Sequence, residues 1–202
     1  MTDTAKSLPS REDAYALMES WTASDSLRKH MIAVEGAMRA YARHFNEDDE
    51  RWGLAGLLHD FDYERFPNAA HAAEAEHPSE GVRHLRSLGY PEDVLSAILG
   101  HAAYTGVARE TQMAKTLFAV DELCGLITAA ALVRPSRSVL DLEVSSVKKK
   151  LKDKAFARGV SRDDVLNGAT ALGVELDPHV AFVIDAMRSR ASLLGLAGTA
   201  GS

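Results

Sequence analysis

Helical periodicity is the feature of this 202-residue chain that most limits how it can fold. Apolar side chains recur at intervals of three and four residues over most of its length, as they do on the buried face of an amphipathic α-helix. No series of alternating apolar and polar residues indicates a sheet. The sequence therefore predicts an all-α fold.

Capping residues, glycines and prolines mark the ends of the predicted helices. Ser10 followed by Asp13 resembles a capping box, Pro78 suits the first turn of a helix, and Arg134-Pro135 ends a long one. The loop FPNAAHAAEAEHP interrupts the helical pattern. We predict helices over about residues 11–22, 25–45, 47–60, 78–88, 91–102, 109–133 and 148–154, and further helices opening at 161 and 177.

Composition excludes several classes of protein. Hydrophobic residues make up 46% and charged residues 26%, as in an ordinary globular domain, and the net charge of −6 disfavours a nucleic-acid partner. The single cysteine, Cys124, excludes an internal disulfide and a multi-cysteine zinc site. No apolar run has membrane-spanning length, and the first residues are too polar for a signal peptide. We expect a cytoplasmic protein without a membrane partner; its oligomeric state is left open.

Five side chains of the metal-ligand type stand where the helical pattern predicts core. His30, for example, shares its face with Val34, Ala37 and Tyr41. Taken singly, such groups are more often hydrogen-bonded core residues or members of an ion pair. Taken together, on four separate helices, they suggest convergence on one cation, as in other helical bundles. The five are His30, His59, Asp60, His101 and Asp121.

The order His30, His59-Asp60, Asp121, with the stretches GLLHD and LFAVDEL, resembles the HD superfamily of metal-dependent phosphohydrolases. The resemblance spans about residues 28–125 and implies a helical bundle with a central metal site. It further implies one HD domain over residues 1–202. Within it we expect a metal-binding core at about 25–133, a helical extension at about 138–195 and a flexible tail at 196–202. The segments ALVRPS and SVKKKLKDKAFARGVSRDDV look like a bacterial subgroup of predicted HD hydrolases.

Two more histidines, His77 and His101, lie between the doublet His59-Asp60 and Asp121. This longer pattern is similar to the binuclear branch of the superfamily. By this resemblance His30, His59, Asp60 and Asp121 hold a first metal, while His77, His101 and the bridging Asp60 hold a second. His71, in the same loop as His77, is the alternative ligand. One or two divalent transition-metal ions are expected, without distinction between iron, manganese, cobalt, nickel and zinc.

The resemblance implies hydrolysis of a phosphoester, such as a nucleotide or another small phosphorylated molecule, by a metal-activated water. Asp60 is the predicted catalytic ligand, and Asp62 either assists proton transfer or is an exposed loop acid. The same ligand set also resembles HD-type di-iron oxygenases, and a non-catalytic metal-binding domain is the third hypothesis. In one variant of the superfamily Ile-Gly follows the His-Asp doublet, whereas Phe61-Asp62 follows it here. The lysine and the Gly-Tyr-Pro motif of cyclic-dinucleotide phosphodiesterases are missing, which argues against that subclass.

Basic residues close in sequence to the predicted ligands are candidate substrate-phosphate contacts: Arg28, Lys29, Arg65, Lys115 and Arg134. The lysine run at 148–154 is predicted to be a solvated helix face. His44, His84 and His179 are predicted to lie outside the site, with His84 and His179 at the surface.

Overall fold

The computed structural model describes residues 8–198. Within that range the regular structure is helical apart from an isolated β-bridge between Ser138 and Ala197, which confirms the all-α prediction. The helices in chain order are α1 Arg11–Trp21, α2 Asp25–Phe45, α3 Asp49–Leu58, α4 Ser79–Leu88, α5 Glu92–His101, α6 Gln112–Leu132, α7 Val144–Lys152, α8 Arg162–Leu172, α9 Leu176–Arg188 and α10 Ala191–Leu194, with a 3₁₀ helix at Ala103–Thr105.

Side-chain caps fix where several helices begin. The hydroxyl of Ser10 accepts the N–H of Asp13 at α1, and the hydroxyl of Ser161 accepts the N–H of Asp164 at α8, both as the sequence predicts. Asp48 caps α3 by accepting two main-chain N–H groups. The bounds predicted for α2 are confirmed, because a capping serine and a left-handed Asn46 close that helix at both ends.

Three predicted helices differ from the observed ones by two residues or more at an end. The helix predicted over 148–154 is α7, which begins earlier, at Val144, and ends at Lys152. Helix α3 ends at Leu58 rather than at residue 60, so His59 and Asp60 lie in the turn that follows it. Helix α6 begins at Gln112 rather than at 109, because Thr111 caps it with its hydroxyl. Periodicity alone cannot locate these ends, since local hydrogen bonds to the terminal N–H groups decide them.

Four helices, α2, α3, α5 and α6, pack together and enclose the site. Helix α2 lies against both α3 and α6, and α5 lies against the same two helices. Gly56 permits the close approach of α3 to α2, since a Cβ there would lie 2.8 Å from the main chain of Glu35. The residues predicted to share the face of His30 are buried: Val34, Ala37 and Tyr41.

The C-terminal helices cover the outside of this core, with α8 on α6 and α9 on α2. The chain stays attached beyond α10, because Leu196 is buried and its carbonyl accepts the N–H of Val139 at 2.9 Å. The predicted flexible tail at 196–202 is therefore wrong for Leu196 and Ala197; residues 199–202 lie outside the described range. None of the helices between residues 8 and 198 combines the length and apolar character needed to cross a lipid bilayer.

Candidate metal centre

The six predicted metal ligands meet at the centre of the helical core. Two follow α3 directly, and the others belong to α2, the loop before α4, the last residue of α5, and α6. Because the six come from five different parts of the chain, only the packing of the helices brings them together. The six are His30, His59, Asp60, His77, His101 and Asp121.

One part of the cluster joins α2, the turn after α3, and α6. The Nε2 atoms of His30 and His59 lie 2.9 and 3.3 Å from Oδ1 of Asp121. Oδ2 of Asp60 lies 3.5 Å from His59 Nε2 and 3.9 Å from His30 Nε2. His30, His59 and Asp60 thus offer ligand atoms within the reach of one ion.

The other part of the cluster uses the second oxygen of Asp60. Oδ1 of this residue lies 3.2 Å from Nε2 of His77 and 3.5 Å from Nε2 of His101. Asp60, His77 and His101 form a second group that could hold a metal ion. Asp60 thus directs one oxygen toward each group, and its bridging of two ions stays a prediction.

The imidazole rings are oriented by hydrogen bonds at Nδ1. Nδ1 of His59 lies 2.8 Å from the carbonyl of Gly56, and Nδ1 of His101 lies 2.5 Å from the carbonyl of Ile98. A carbonyl oxygen only accepts, so the Nδ1 atom carries the proton. In the neutral form of each ring the lone pair is then on Nε2, which points to the centre of the cluster.

Two features of this centre match a cation better than they match a hydrogen-bonded core. Nε2 of His59 is buried and has no hydrogen-bond partner. Nε2 of His77 and Nε2 of His101 lie 3.2 Å apart, so that two acceptor atoms face each other when both rings are neutral. An ion bound between these atoms would satisfy them, and nitrogen with carboxylate oxygen is a donor set suited to divalent transition metals.

Asp62 is buried, and the expectation of an exposed loop acid is wrong. Only 1% of its surface is exposed; Oδ1 lies 2.7 Å from Nδ1 of His77, and Oδ2 accepts the N–H of Gly81 at 2.7 Å. Position 81 must be glycine, since a Cβ would lie 2.6 Å from Cγ of Asp62. Both oxygens of Asp62 are used in these two contacts, and Asp62 does not line the cavity. Asp62 is therefore placed to orient His77 rather than to transfer a proton to a substrate.

His71 and His77 occupy different positions in the loop before α4. His77 is 3% exposed and points into the cluster, whereas the ring of His71 stacks on that of Tyr104 with centroids 4.7 Å apart. The hydroxyl of Tyr104 also donates to the carbonyl of His77. The geometry therefore groups His77, and not His71, with Asp60. Binding of metal by any of these residues stays a prediction.

The charges of the cluster oppose the effect of burial. Burial alone would raise the pKa of Asp60 and of Asp121, but the nearby His59 holds both values well below the usual range of a carboxyl. Burial lowers the pKa of His59, yet the two carboxylates raise it to about 9. The neighbouring Glu122 is different: burial and then the charge of Asp121 raise its pKa to about 7. Asp60 and Asp121 are therefore kept charged despite their burial.

The ligands open into a cavity of about 490 Å³. Its remaining wall includes two tyrosines, one phenylalanine and two further acids that the sequence analysis did not identify as site residues: Tyr63, Tyr104, Phe118, Glu122 and Asp164. Glu122 follows a predicted ligand directly, and Asp164 lies in the first turn of α8. The sequence carries no stronger signal for the two acids, since their place in the wall depends on how α8 packs against α6.

The five predicted phosphate contacts do not line this cavity: Arg28, Lys29, Arg65, Lys115 and Arg134. Arg28 and Arg65 donate to main-chain carbonyls instead. Lys29 and Arg134 pair with surface carboxylates. Proximity in sequence to a ligand does not bring these side chains into the cavity wall, because residues that are neighbours along the chain point in different directions.

His179 is also placed differently from the prediction. It is 1% exposed, with its Nδ1 2.6 Å from the hydroxyl of Tyr41 and its Nε2 3.0 Å from the carbonyl of Ala119. It is a hydrogen-bonded core residue that joins α9 to α2 and α6. His84 is half-buried against Trp21, and His44 is exposed near the end of α2.

Comparison with known families agrees with this geometry. The family model of the HD domain matches residues 27–126, a segment that contains all six clustered residues. No match was found among curated proteins or among solved structures. HD domains bind divalent metal ions, and the His/Asp groups described above are suited to hold one. Residues 27–126 of this chain form an HD domain.

Proposed function

We propose that this protein is a metal-dependent phosphohydrolase that hydrolyses a small phosphorylated molecule. The observation that carries the proposal is the direction of three imidazoles. His59, His77 and His101 each bond an acceptor through Nδ1 and present Nε2 to the carboxylate of Asp60 or Asp121. The HD domain at residues 27–126 adds the reaction class, since this superfamily includes metal-dependent phosphohydrolases.

The residues divide naturally between two ions. His30, His59, Asp60 and Asp121 would hold the first, and Asp60, His77 and His101 the second. Bound divalent ions would lower the pKa of a coordinated water and offset negative charge on a phosphoryl oxygen. Iron, manganese, cobalt, nickel and zinc all accept this donor set.

Residues outside the ligand cluster orient one of its histidines and form the wall of the cavity. Asp62 keeps the ring of His77 turned toward Asp60 through a 2.7 Å hydrogen bond. Tyr63 and Tyr104 stand in the wall of the cavity. Because no lysine or arginine lines the cavity, the charge of a phosphoryl group would be balanced by the metal centre.

The direct test begins with metal analysis of protein purified without a chelator. Turnover is then measured on a panel of nucleotides, phosphomonoesters and phosphonates with manganese, cobalt and iron(II), with and without oxygen. We expect bound transition metal and release of inorganic phosphate that does not require oxygen. Absence of hydrolysis with every metal, together with an oxygen-dependent reaction with iron, would support the di-iron oxygenase instead. Bound metal with no reaction of either kind would support the non-catalytic domain.

The number of ions is tested by removing a ligand from one group only. In His101→Ala we expect the metal content to fall from about two ions to about one, because the first group keeps all its members. His84→Ala is a matched control, since that histidine lies outside the cavity. A content of about one ion both before and after the change would exclude the second ion, and a content of about two in both would exclude His101 as its ligand.

A further inference from the structure

A tyrosine joins the two histidines of the second group, which come from separate parts of the chain. Tyr104 follows His101 in sequence and lies in the 3₁₀ helix Ala103–Thr105 after α5. Its hydroxyl donates to the carbonyl of His77, in the loop before α4. One side chain thereby connects the end of α5 to the loop that carries the other histidine.

His77 needs such contacts because it lies in a loop, and no helix sets its direction. Its N–H donates to the carbonyl of Phe66 at 2.7 Å, and its carbonyl accepts the hydroxyl of Tyr104. Its ring is held separately, by Asp62 at Nδ1. Asp62 therefore fixes the rotation of the imidazole, whereas Tyr104 fixes the main chain from which the imidazole extends.

The segment that carries Tyr104 is itself attached to the end of α5. The last carbonyls of a helix have no partner within it, so other groups must bond them. The hydroxyl of Thr105 lies 2.9 Å from the carbonyl of Leu99. Nη1 of Arg109 donates to the carbonyl of Gly100 at 2.6 Å. Because these bonds join the segment to the last turn of α5, the position of Tyr104 follows that of the helix end.

Other elements hold the first group. His30 belongs to α2 and Asp121 to α6. The ring of His59 is oriented at Nδ1 by the carbonyl of Gly56 in α3. A change at Tyr104 should therefore reach the second group and leave the first as it is.

We infer that Tyr104 is a positioning residue of the second group. By holding the carbonyl of His77, it sets the separation between Nε2 of His77 and Nε2 of His101, which is 3.2 Å in this structure. The affinity for the second ion depends on this separation, because a metal ion accepts nitrogen ligands over a narrow range of distances. The inference rests on the metal centre of the proposed function, and not on the reaction performed there.

Removal of one hydroxyl tests this without relying on turnover. Tyr104→Phe keeps the ring and loses the hydrogen bond to His77. Tyr63→Phe is the matched control, since Tyr63 lines the same cavity but its hydroxyl donates to the side chain of Asn68 at 3.2 Å. Protein loaded with cobalt(II) is equilibrated with increasing concentrations of a chelator, and the cobalt kept per folded chain is measured. We expect Tyr104→Phe to bind the second ion about 3- to 10-fold more weakly, as for the loss of one hydrogen bond, and Tyr63→Phe to bind both ions normally.

The His101→Ala background identifies which ion is affected. This variant keeps every member of the first group, so removing the Tyr104 hydroxyl from it should leave the affinity for the remaining ion unchanged. A general loosening of the fold would weaken the remaining ion as well. The comparison therefore separates a positioning role from a merely structural one.

Three results would overturn the inference and leave the proposed function standing. These are normal affinity for both ions in Tyr104→Phe, an equal loss for both ions, and the same loss in Tyr63→Phe. Binding of only one ion by the unmodified protein would also overturn the inference, whereas phosphate release with that ion would still support the proposed function. Absence of bound metal would overturn both.

Discussion

Helix α2 contributes to two buried polar clusters that differ in one respect. Glu35 has no exposed side-chain surface, yet it accepts hydrogen bonds from Arg11 at 2.6 Å, Arg39 at 2.8 Å and Arg190 at 3.1 Å. His30, five residues earlier on the same helix, enters the metal-ligand cluster. The first cluster matches each acceptor atom with donors; the second brings acceptors together.

The difference shows how to distinguish a structural cluster from a binding site. Burying a carboxylate is costly unless donors surround it, and three guanidinium groups meet that need for Glu35. The ligand cluster leaves Nε2 of His59 unpaired and sets Nε2 of His77 opposite that of His101. Burial alone would have suggested the same structural role for the Glu35 cluster and for the ligand cluster. The completeness of hydrogen bonding separates them.

The largest effect is expected in the ligand cluster, for Asp60→Ala. Removing the residue that faces both groups should leave neither ion tightly bound and lower turnover by about a thousandfold or more. Metal analysis and phosphate release measure the two effects. Asp121→Asn should weaken the first ion while the second group keeps its members. Full metal content and normal turnover in both variants would contradict the assignment of the cluster.

The second effect concerns stability rather than metal. In Glu35→Gln three buried or half-buried guanidinium groups lose their carboxylate, and we expect the free energy of unfolding in urea to fall by about 3–5 kcal/mol. Metal content per folded molecule should be unchanged. Glu50→Gln is the matched control: it pairs with the same Arg39 but is 59% exposed, so we expect a loss under about 1 kcal/mol. Equal losses of unfolding free energy in Glu35→Gln and Glu50→Gln would show that the buried carboxylate matters no more than the exposed one.

The pH dependence of stability should report the same carboxylate. Burial would raise the pKa of Glu35, but the hydrogen bond from Arg11 and the other guanidinium groups hold it below its ordinary value of 4.5. A lowered folded-state pKa stabilises the fold above the unfolded-state value, and this contribution is lost as pH falls through the folded-state pKa. The difference in unfolding free energy between the unmodified protein and Glu35→Gln should therefore shrink below about pH 4.5. If this difference in unfolding free energy grew as the pH fell, the pKa of Glu35 would be raised rather than lowered in the folded protein.

Asp62→Asn should have a smaller effect, confined to the ligand cluster. Asp62 uses both oxygens as acceptors, one for Nδ1 of His77 and one for the N–H of Gly81. Asn has one acceptor oxygen and one N–H₂ donor, so one of these two groups loses its acceptor, and we expect metal affinity to fall about 10- to 100-fold. Competition with a chelator measures the affinity. Glu64→Gln serves as the control, because this exposed loop acid only accepts two N–H groups before α2. Unchanged affinity in Asp62→Asn would remove its positioning role.

The smallest effect is expected on α7, where Lys149 and Lys152 lie outside the ligand cavity. Changing both to Glu should alter the salt dependence of phosphate binding only modestly, because exposed charges are screened by solvent and ions. Calorimetry with inorganic phosphate on metal-loaded protein measures this. Loss of phosphate binding would mean that the lysine face, and not the metal centre, holds the phosphate.

The sequence determined the features that depend on local interactions. The spacing of apolar residues fixed the all-α class and the inward direction of His30, His101 and Asp121, because one face of a helix is set by its own periodicity. Serine hydroxyls at Ser10 and Ser161 fixed two helix starts for a similar reason, since the N–H groups that they accept are only three residues away.

Only the tertiary structure decided which distant groups meet. It placed His77 rather than His71 beside Asp60, buried Asp62 behind His77, and excluded the predicted basic contacts from the cavity. It also enclosed Glu35 among guanidinium groups, one of which, on Arg190, lies 155 residues away in sequence. A loop has no periodicity to fix the direction of its side chains, and the packing of helices from remote parts of the chain determines which charges become neighbours.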